Sequence, residues 1–206
     1  PAKMVRLEAG RSYIEAVADS DLAALAGAMR WTADFALLAE MDVIIICVPT
    51  PLTAHRDPDL SYVTATAEEI ARHISPATLV VLESTTYPGT TVEVVAPILK
   101  GSGLRLGADV FIGFSPERED PGNASYRTAT IPKVVAGEGP QAGRLVEAFY
   151  GRVVERIVPV SSPATAEAVK ITENIFRSVN IALVNELKII FDAMGIDVWE
   201  VIDAAA

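Results

Sequence analysis

Between Ser161 and Gly195 the chain reads SSPATAEAVKITENIFRSVNIALVNELKIIFDAMG, and after Pro163 no proline or glycine interrupts it before Gly195. So long a stretch without a breaker reads as one long helix. Ser162 is placed to accept from the first unpaired amides, Pro163 suits the first helical position, and Gly195 supplies a left-handed stop. The spacing predicts roughly 30 residues and about 45 Å of rod.

At helical spacing, Lys170, Asn174, Arg177, Ser178, Asn185, Lys188 and Asp192 share one arc, broken only by Ile181. The remaining surface, with Val169, Ile175, Phe176, Val179, Leu183 and Ile190, is wider than a normal core-facing stripe. A helix of this kind is expected to pack on several sides, at a domain or subunit junction. Lys170 and Asn174, one turn apart, set an ammonium beside an amide. In water they are simply solvated; within a cleft they form a clamp for a developing oxyanion.

Upstream, apolar runs alternate with helical patterns. Pro1 to Gly10 reads as the remainder of a helix, Ser20 as the cap of a second over Asp21 to Ala28, and Asp34 as the start of a third. DVIIICVP, from Asp42 to Pro49, predicts a central strand buried on both faces, as does TLVVLE from Thr78 to Glu83. Shorter strands are expected at Val110 to Phe114, Lys133 to Ala136 and Val153 to Val158. Helices are expected at Ser61 to Ile74, from Pro88 or Thr90 to Leu99, and at Gly139 to Tyr150. The alternation predicts an α/β fold, a Rossmann-like doubly wound parallel sheet followed by a long central helix and a helical domain. The boundary falls near Pro159, giving domains 1–159 and 160–206.

The 206 residues, half of them hydrophobic, suffice for one full domain and a helical extension. A formal net charge of -10 argues against nucleic acid or an anionic membrane surface as the main partner. No apolar run reaches the roughly 18 residues of a membrane span. The single cysteine, Cys47, excludes an internal disulfide framework and fits a reducing cytoplasm. It reads as an inert core thiol inside its strand. With only His55 and His73 and no cysteine cluster, no zinc site is expected.

Ligands of open parallel sheets bind beyond the carboxyl ends of the strands. The residues there are Pro49-Thr50-Pro51, Ser84-Thr85-Thr86 and Ser115-Pro116-Glu117. Hydroxyls beside a helix start suit a phosphate or ribose, and Glu117 is a carboxylate where a general base would stand. Singly, each also reads as a turn or cap; their shared edge raises the joint case. Glu117 to Asp120, ERED, also reads as a solvated charge run before the Pro121-Gly122 turn.

Four ordered segments, CVPTPLTAHRDPDLSYV, VVLESTTYPGTT, FSPEREDPGN and AEAVKITENIFRSVNIALVNELKIIFDAMGIDVWEVIDAAA, resemble the UDP-glucose/GDP-mannose dehydrogenase family of NAD-dependent nucleotide-sugar 6-dehydrogenases. Within it, SYIE, ESTTYPGTT and Glu117-Arg118-Glu119, where UDP-glucose enzymes carry Glu-Phe-Leu, resemble the UDP-N-acetylhexosamine branch. The resemblance implies oxidation of a sugar C6 alcohol to the carboxylate, with two NAD consumed and a thioester on a cysteine. Thr50, Pro51, Ser84 and Thr85 would line the NAD site, and Lys3 would approach the adenosine ribose. Thr85 would help hold the catalytic water, and Glu117 would be the base in thioester hydrolysis. Lys170 and Asn174 would donate to the oxyanion, and Arg118 and Glu119 would join Glu117, Lys170 and Asn174 around the nucleotide sugar. The long helix resembles the family's dimer core, implying a homodimer.

The family's glycine turn for pyrophosphate and its acidic ribose ligand are expected before Pro1, and its G-G-H-C segment after Ala206. The chain is therefore read as part of a longer enzyme and expected to be inactive alone. Two other readings stay open. β-Hydroxyacid dehydrogenases also set a lysine and an asparagine four apart after a Rossmann domain, with a glycine-rich lead that SSPATAEAVK lacks. A non-catalytic NAD-binding or dimerisation module would keep the scaffold without the chemistry.

Overall fold

A computed structural model of the chain describes residues 2–14, 17–25, 27–118 and 130–205. Two short helices, α1 (Ala2–Glu8) and α2 (Asp19–Ala24), precede a 3-10 turn at Phe35–Glu40. Asp34 opens that turn by accepting from the Ala36 amide, as expected. Ser20 does not cap α2. The helix starts earlier, with the Asp21 carboxylate taking the Ala18 amide at 3.2 Å, and a carboxylate in the first turn also meets the positive end of the helix dipole.

Five strands follow: β1 (Val43–Ile46), β2 (Thr78–Leu82), β3 (Val110–Phe114), β4 (Lys133–Gly137) and β5 (Ile157–Pro159), ordered β1-β2-β3-β4-β5 across one sheet. Helix α3 (Ser61–His73) links β1 to β2. After β2, Gly89 at φ 105° opens a wide helical turn over Thr90–Val95 that continues as α4 (Ala96–Lys100), and α5 (Gly139–Tyr150) joins β4 to β5.

Side-chain alternation divides the core into two layers. Val80, Leu82, Ile112 and Phe114 pack with Val63, Ile70 and Leu99 of α3 and α4. Leu79, Val81, Phe111 and Val135 pack with Ala142, Val146 and Tyr150 of α5. Covered on both faces, β2 is apolar throughout, as its sequence predicts. Gly137 permits the close seat of α5: a Cβ there would lie 2.2 Å from the Ala142 carbonyl carbon.

Two expectations are corrected. Among the described strands β1 lies at one edge of the sheet, and α5, which packs on β2, β3, β4 and β5, leaves its face partly bare. Ile45 is 40% exposed and Cys47 is exposed rather than a core thiol. The sheet is also not wholly parallel. β1–β2, β2–β3 and β4–β5 are parallel, but β3 and β4 run antiparallel, with Phe114 opposite Ala136. The segment between β3 and β4 shows no helical periodicity in its sequence, and only a parallel pair demands a crossover helix.

Beyond β5, α6 (Pro163–Met194) has the bounds its sequence predicts: Ser162 Oγ accepts the Thr165 amide at 3.2 Å, and Gly195 at φ 70° ends it. A short α7 (Val198–Ala205) follows. Pro163, Ala166 and Glu167 are buried, whereas Phe176 is 71% and Ile189 64% exposed. The expected packing on several sides is thus not met within the chain. The distal apolar face of α6 is bare. No described helix is long and apolar enough to cross a membrane.

Candidate functional site

The carboxyl ends of β1, β2 and β3 meet at a cleft of about 250 Å³ lined by Cys47, Val48, Glu83, Ser84, Thr85 and Glu117. Hydroxyls tie the strand tips together there. Ser84 Oγ accepts the Val48 amide at 2.8 Å, and Thr50 Oγ1 donates to the Thr85 carbonyl at 2.6 Å. Ser84 is buried and Thr85 half-buried, so Thr85 is the hydroxyl left for a ligand.

The following helical turn is fixed to α6. Glu167, wholly buried, accepts from the Gly89 amide at 2.6 Å, the Thr91 amide at 2.9 Å and the Thr91 hydroxyl at 2.7 Å. Helix α6 enters beside the cleft, where Lys170 Nζ donates to the Glu117 carbonyl. One of the ammonium's three protons is used in this way. Burial pulls the Lys170 pKa below its ordinary 10.5, against the raising effect of the Glu173 carboxylate.

Glu117 is held at its carboxylate as well. Its Oε1 takes the Arg118 amide at 2.7 Å, and Lys133 Nζ lies 3.6 Å from Oε2. Arg118 grips Glu173 of α6 with two nitrogens, at 2.6 and 3.3 Å, and donates to the Pro132 carbonyl at 2.7 Å. The expected substrate ligand is thus engaged within the protein.

Lys133 also pairs with Glu83 Oε1 at 3.1 Å, and the Tyr150 hydroxyl donates to that same oxygen. Cys47 Sγ approaches Glu83 Oε2 at 3.7 Å. Partial burial of its sulfur against the cleft, and then the charge of Glu83, push the Cys47 thiol up to about 11, and burial with the same charge raises the Tyr150 phenol well above its usual range. Cys47 is therefore a protonated thiol at neutral pH.

The structure brings Thr50, Ser84, Thr85, Glu117 and Lys170 to one edge. Arg118 stands behind them, and the side chain of Asn174, half-buried one turn beyond Lys170, makes no hydrogen bond among the described residues. Pro51 is exposed, its carbonyl accepting from Asp59 at 2.8 Å. Lys3 lies on α1 with Nζ 4.9 Å from the centre of the Tyr13 ring. No hydrogen bond or ion pair among the described residues joins Lys3 to the cleft. Glu119 lies outside the described residues. The sequence reading missed Glu83, Lys133, Tyr150 and Glu167. Only Lys133, a charge opening an apolar strand, carried any signal.

Residues 1–154 match the model of the UDP-glucose/GDP-mannose dehydrogenase family NAD binding domain, and residues 164–206 that of the family's central domain. Over 199 residues the chain is 41% identical to a UDP-N-acetyl-D-glucosamine 6-dehydrogenase of Pseudomonas aeruginosa, covering 95% of this chain and 47% of that protein. It superposes on a UDP-D-ManNAc dehydrogenase from Pyrococcus horikoshii with a TM-score of 0.92 at 34% identity, covering 99% of this chain and 49% of that one. For a ternary complex of GDP-mannose dehydrogenase from Pseudomonas aeruginosa the TM-score is 0.89 at 31% identity, over 98% and 48% of the two chains. The chain thus spans about half the length of these relatives. With two consecutive family models matched in order on a sheet and helix that superpose on those structures, the chain belongs to the UDP-glucose/GDP-mannose dehydrogenase family.

Proposed function

We propose that the chain is the part of an NAD-dependent nucleotide-sugar 6-dehydrogenase that holds the nicotinamide end of the cofactor and half of the catalytic machinery. The observation that carries this reading is the convergence of Thr85 and Glu117 on one cleft, with Lys170 of α6 bonded to the Glu117 carbonyl. The names of the relatives favour a UDP-N-acetylhexosamine as substrate. We divide the chain into a cofactor-binding unit, 1–159, and a central helical unit, 160–206, close to the limits of the two family models.

The cleft suits the cofactor: Val48 offers an apolar surface, the Thr85 hydroxyl stands beside it for a ribose or amide, and Thr50 holds the Thr85 carbonyl in place. When bound, NAD would accept hydride from the sugar C6 in each of two oxidations. Glu117 would take a proton from the attacking water, which Thr85 would help to hold. Lys170 keeps its bond to the Glu117 carbonyl and turns its remaining protons toward the developing oxyanion, with Asn174 as a second donor. Arg118, Glu173 and Glu119 would border the substrate. The bare distal face of α6 supports a homodimer through that helix, and the single unpaired thiol fits a cytoplasmic enzyme.

The test is NADH formation at 340 nm by the complete coding product with UDP-glucose, UDP-GlcNAc, UDP-ManNAc and GDP-mannose. Two NADH per sugar with a UDP-N-acetylhexosamine is the expected result. Cofactor binding without turnover on any donor would leave the scaffold and remove the enzyme.

A further inference from the structure

Behind the cleft lies a charged cluster for which the proposed reaction has no use. Lys133, with its side chain only 8% exposed, places its ammonium between the carboxylates of Glu83 and Glu117, at 3.1 and 3.6 Å. Three elements supply the cluster. Glu83 follows β2, Lys133 begins β4, and Tyr150 ends α5, its ring centre 5.3 Å from the ammonium and its hydroxyl on Glu83.

Burying an ammonium is expensive, and a well-packed apolar residue generally serves stability as well or better. Neutralising Glu83 would need only the nearer contact. The ammonium instead also reaches toward the carboxylate that lines the cleft mouth. Glu117 is thereby gripped at both oxygens, Oε1 by the Arg118 amide and Oε2 by Lys133. Both grips are anchored in turn. Arg118 is tied to α6 through Glu173, and Lys133 to β2 and α5 through Glu83 and Tyr150. Two anchored contacts narrow the rotamers open to this carboxylate, whose side chain is 46% exposed at the cleft. That is what orientation of a reacting group demands.

We propose that Lys133, set in place by Glu83 and Tyr150, is the positioning residue that orients the Glu117 carboxylate toward the cleft. The proposal rests on the reading of Glu117 as the base. Lys133 acts through Glu117 and need not touch the substrate. The antiparallel turn of β4 makes this possible, since it returns the first residue of that strand to the edge where β3 ends.

The experiment uses the complete enzyme, with kcat, KM and thermal midpoint measured for Lys133→Met, Lys133→Arg, Glu117→Gln, Lys133→Met/Glu117→Gln and Glu83→Met/Lys133→Met. Lys133→Met is expected to lower kcat about 100-fold with little change in KM, the scale of a misplaced reacting group. Lys133→Arg recovers most of the loss. In the Glu117→Gln background the Lys133→Met effect shrinks to about twofold or less, as it must for two residues acting as one unit. Glu83→Met/Lys133→Met, which removes both buried charges and is the variant to rely on if Lys133→Met does not fold, regains thermal stability but not kcat. Recovery of kcat in that double variant would reduce Lys133 to a counter-ion for Glu83 and overturn the proposal. So would independent, multiplicative losses for Lys133 and Glu117. If Glu117→Gln alone turns over normally, the base assignment has failed and Lys133 has nothing to orient, a signature distinct from multiplicative losses.

Discussion

The carboxylate of Glu167 accepts both the amide and the hydroxyl of Thr91, at 2.9 and 2.7 Å, from 76 residues earlier in the chain. With the Gly89 amide added, a buried charge at the start of a helical turn is fully engaged. Glu167→Gln leaves at least one of these donors without its acceptor and is expected to cost about 2–3 kcal/mol. A urea midpoint equal to that of the parent would refute this.

Cys47 is exposed and yet expected to react slowly. With its pKa pushed up to about 11 from 9.0, its thiolate fraction at pH 8 is about 100-fold below that of an ordinary thiol. Iodoacetamide should modify native protein about 100-fold more slowly than urea-unfolded protein, and Glu83→Gln should quicken the native reaction. The raised pKa stabilises the fold below pH 9.0, a contribution lost as pH climbs through about 11. Equal native and unfolded rates would contradict the assigned environment.

Two glycines near α5 should respond in opposite directions. A Cβ on Gly137 meets the Ala142 and Gly143 backbone at 2.2 Å, whereas one on Gly143 meets nothing within 4 Å. Gly137→Ala is expected to cost about 3 kcal/mol and lower Tm by about 6–12 °C. Gly143→Ala, inside a helix, should gain about 0.5–1 kcal/mol. Scanning calorimetry of the pair decides it.

Lys170→Ala in the complete enzyme should lower kcat by about 10²–10³-fold, the effect of deleting one oxyanion donor. Because burial lowers the pKa of this ammonium, the alkaline fall in rate should begin below its ordinary 10.5. A pH-rate profile flat to that point would argue against a charged donor at this position.

Light scattering of Phe176→Glu/Leu183→Glu tests the exposed face of α6, on which these two side chains, two turns apart, share one stripe. The parent should be a dimer and the double variant a monomer, since two carboxylates on a buried apolar seam oppose association. A variant that remains dimeric would assign the contact elsewhere.

The local parts of this architecture could be read from the chain. The cap, the first-turn proline and the closing glycine of α6 lie within a turn of the bonds they make, and the bounds of β3 and α5 follow from runs of their own residues. The direction of β4 could not be read, because a short strand with an apolar centre reads alike whichever way it pairs. Nor could the bareness of β1, which depends on how far α5 extends over the sheet. The site divides along the same line. Thr85, Glu117 and Lys170 follow from strand ends and helical spacing. Glu83, Lys133 and Tyr150 become neighbours only once β4 reverses, and Glu167 reveals itself only against a turn far away in sequence.

The rod α6 has its pivot at one end. Glu167 pins it to the helical turn after β2, Lys170 stands about 4.5 Å further along the axis, and Met194 lies about 40 Å out. These are the arms of an unequal lever. A sideways displacement at the tip reaches the lysine divided about ninefold. Holding the far end to within about 1 Å therefore steadies the backbone at Lys170 to about 0.1 Å. Covering the distal face of the rod thus fixes the aim of a group that the covering surface never touches.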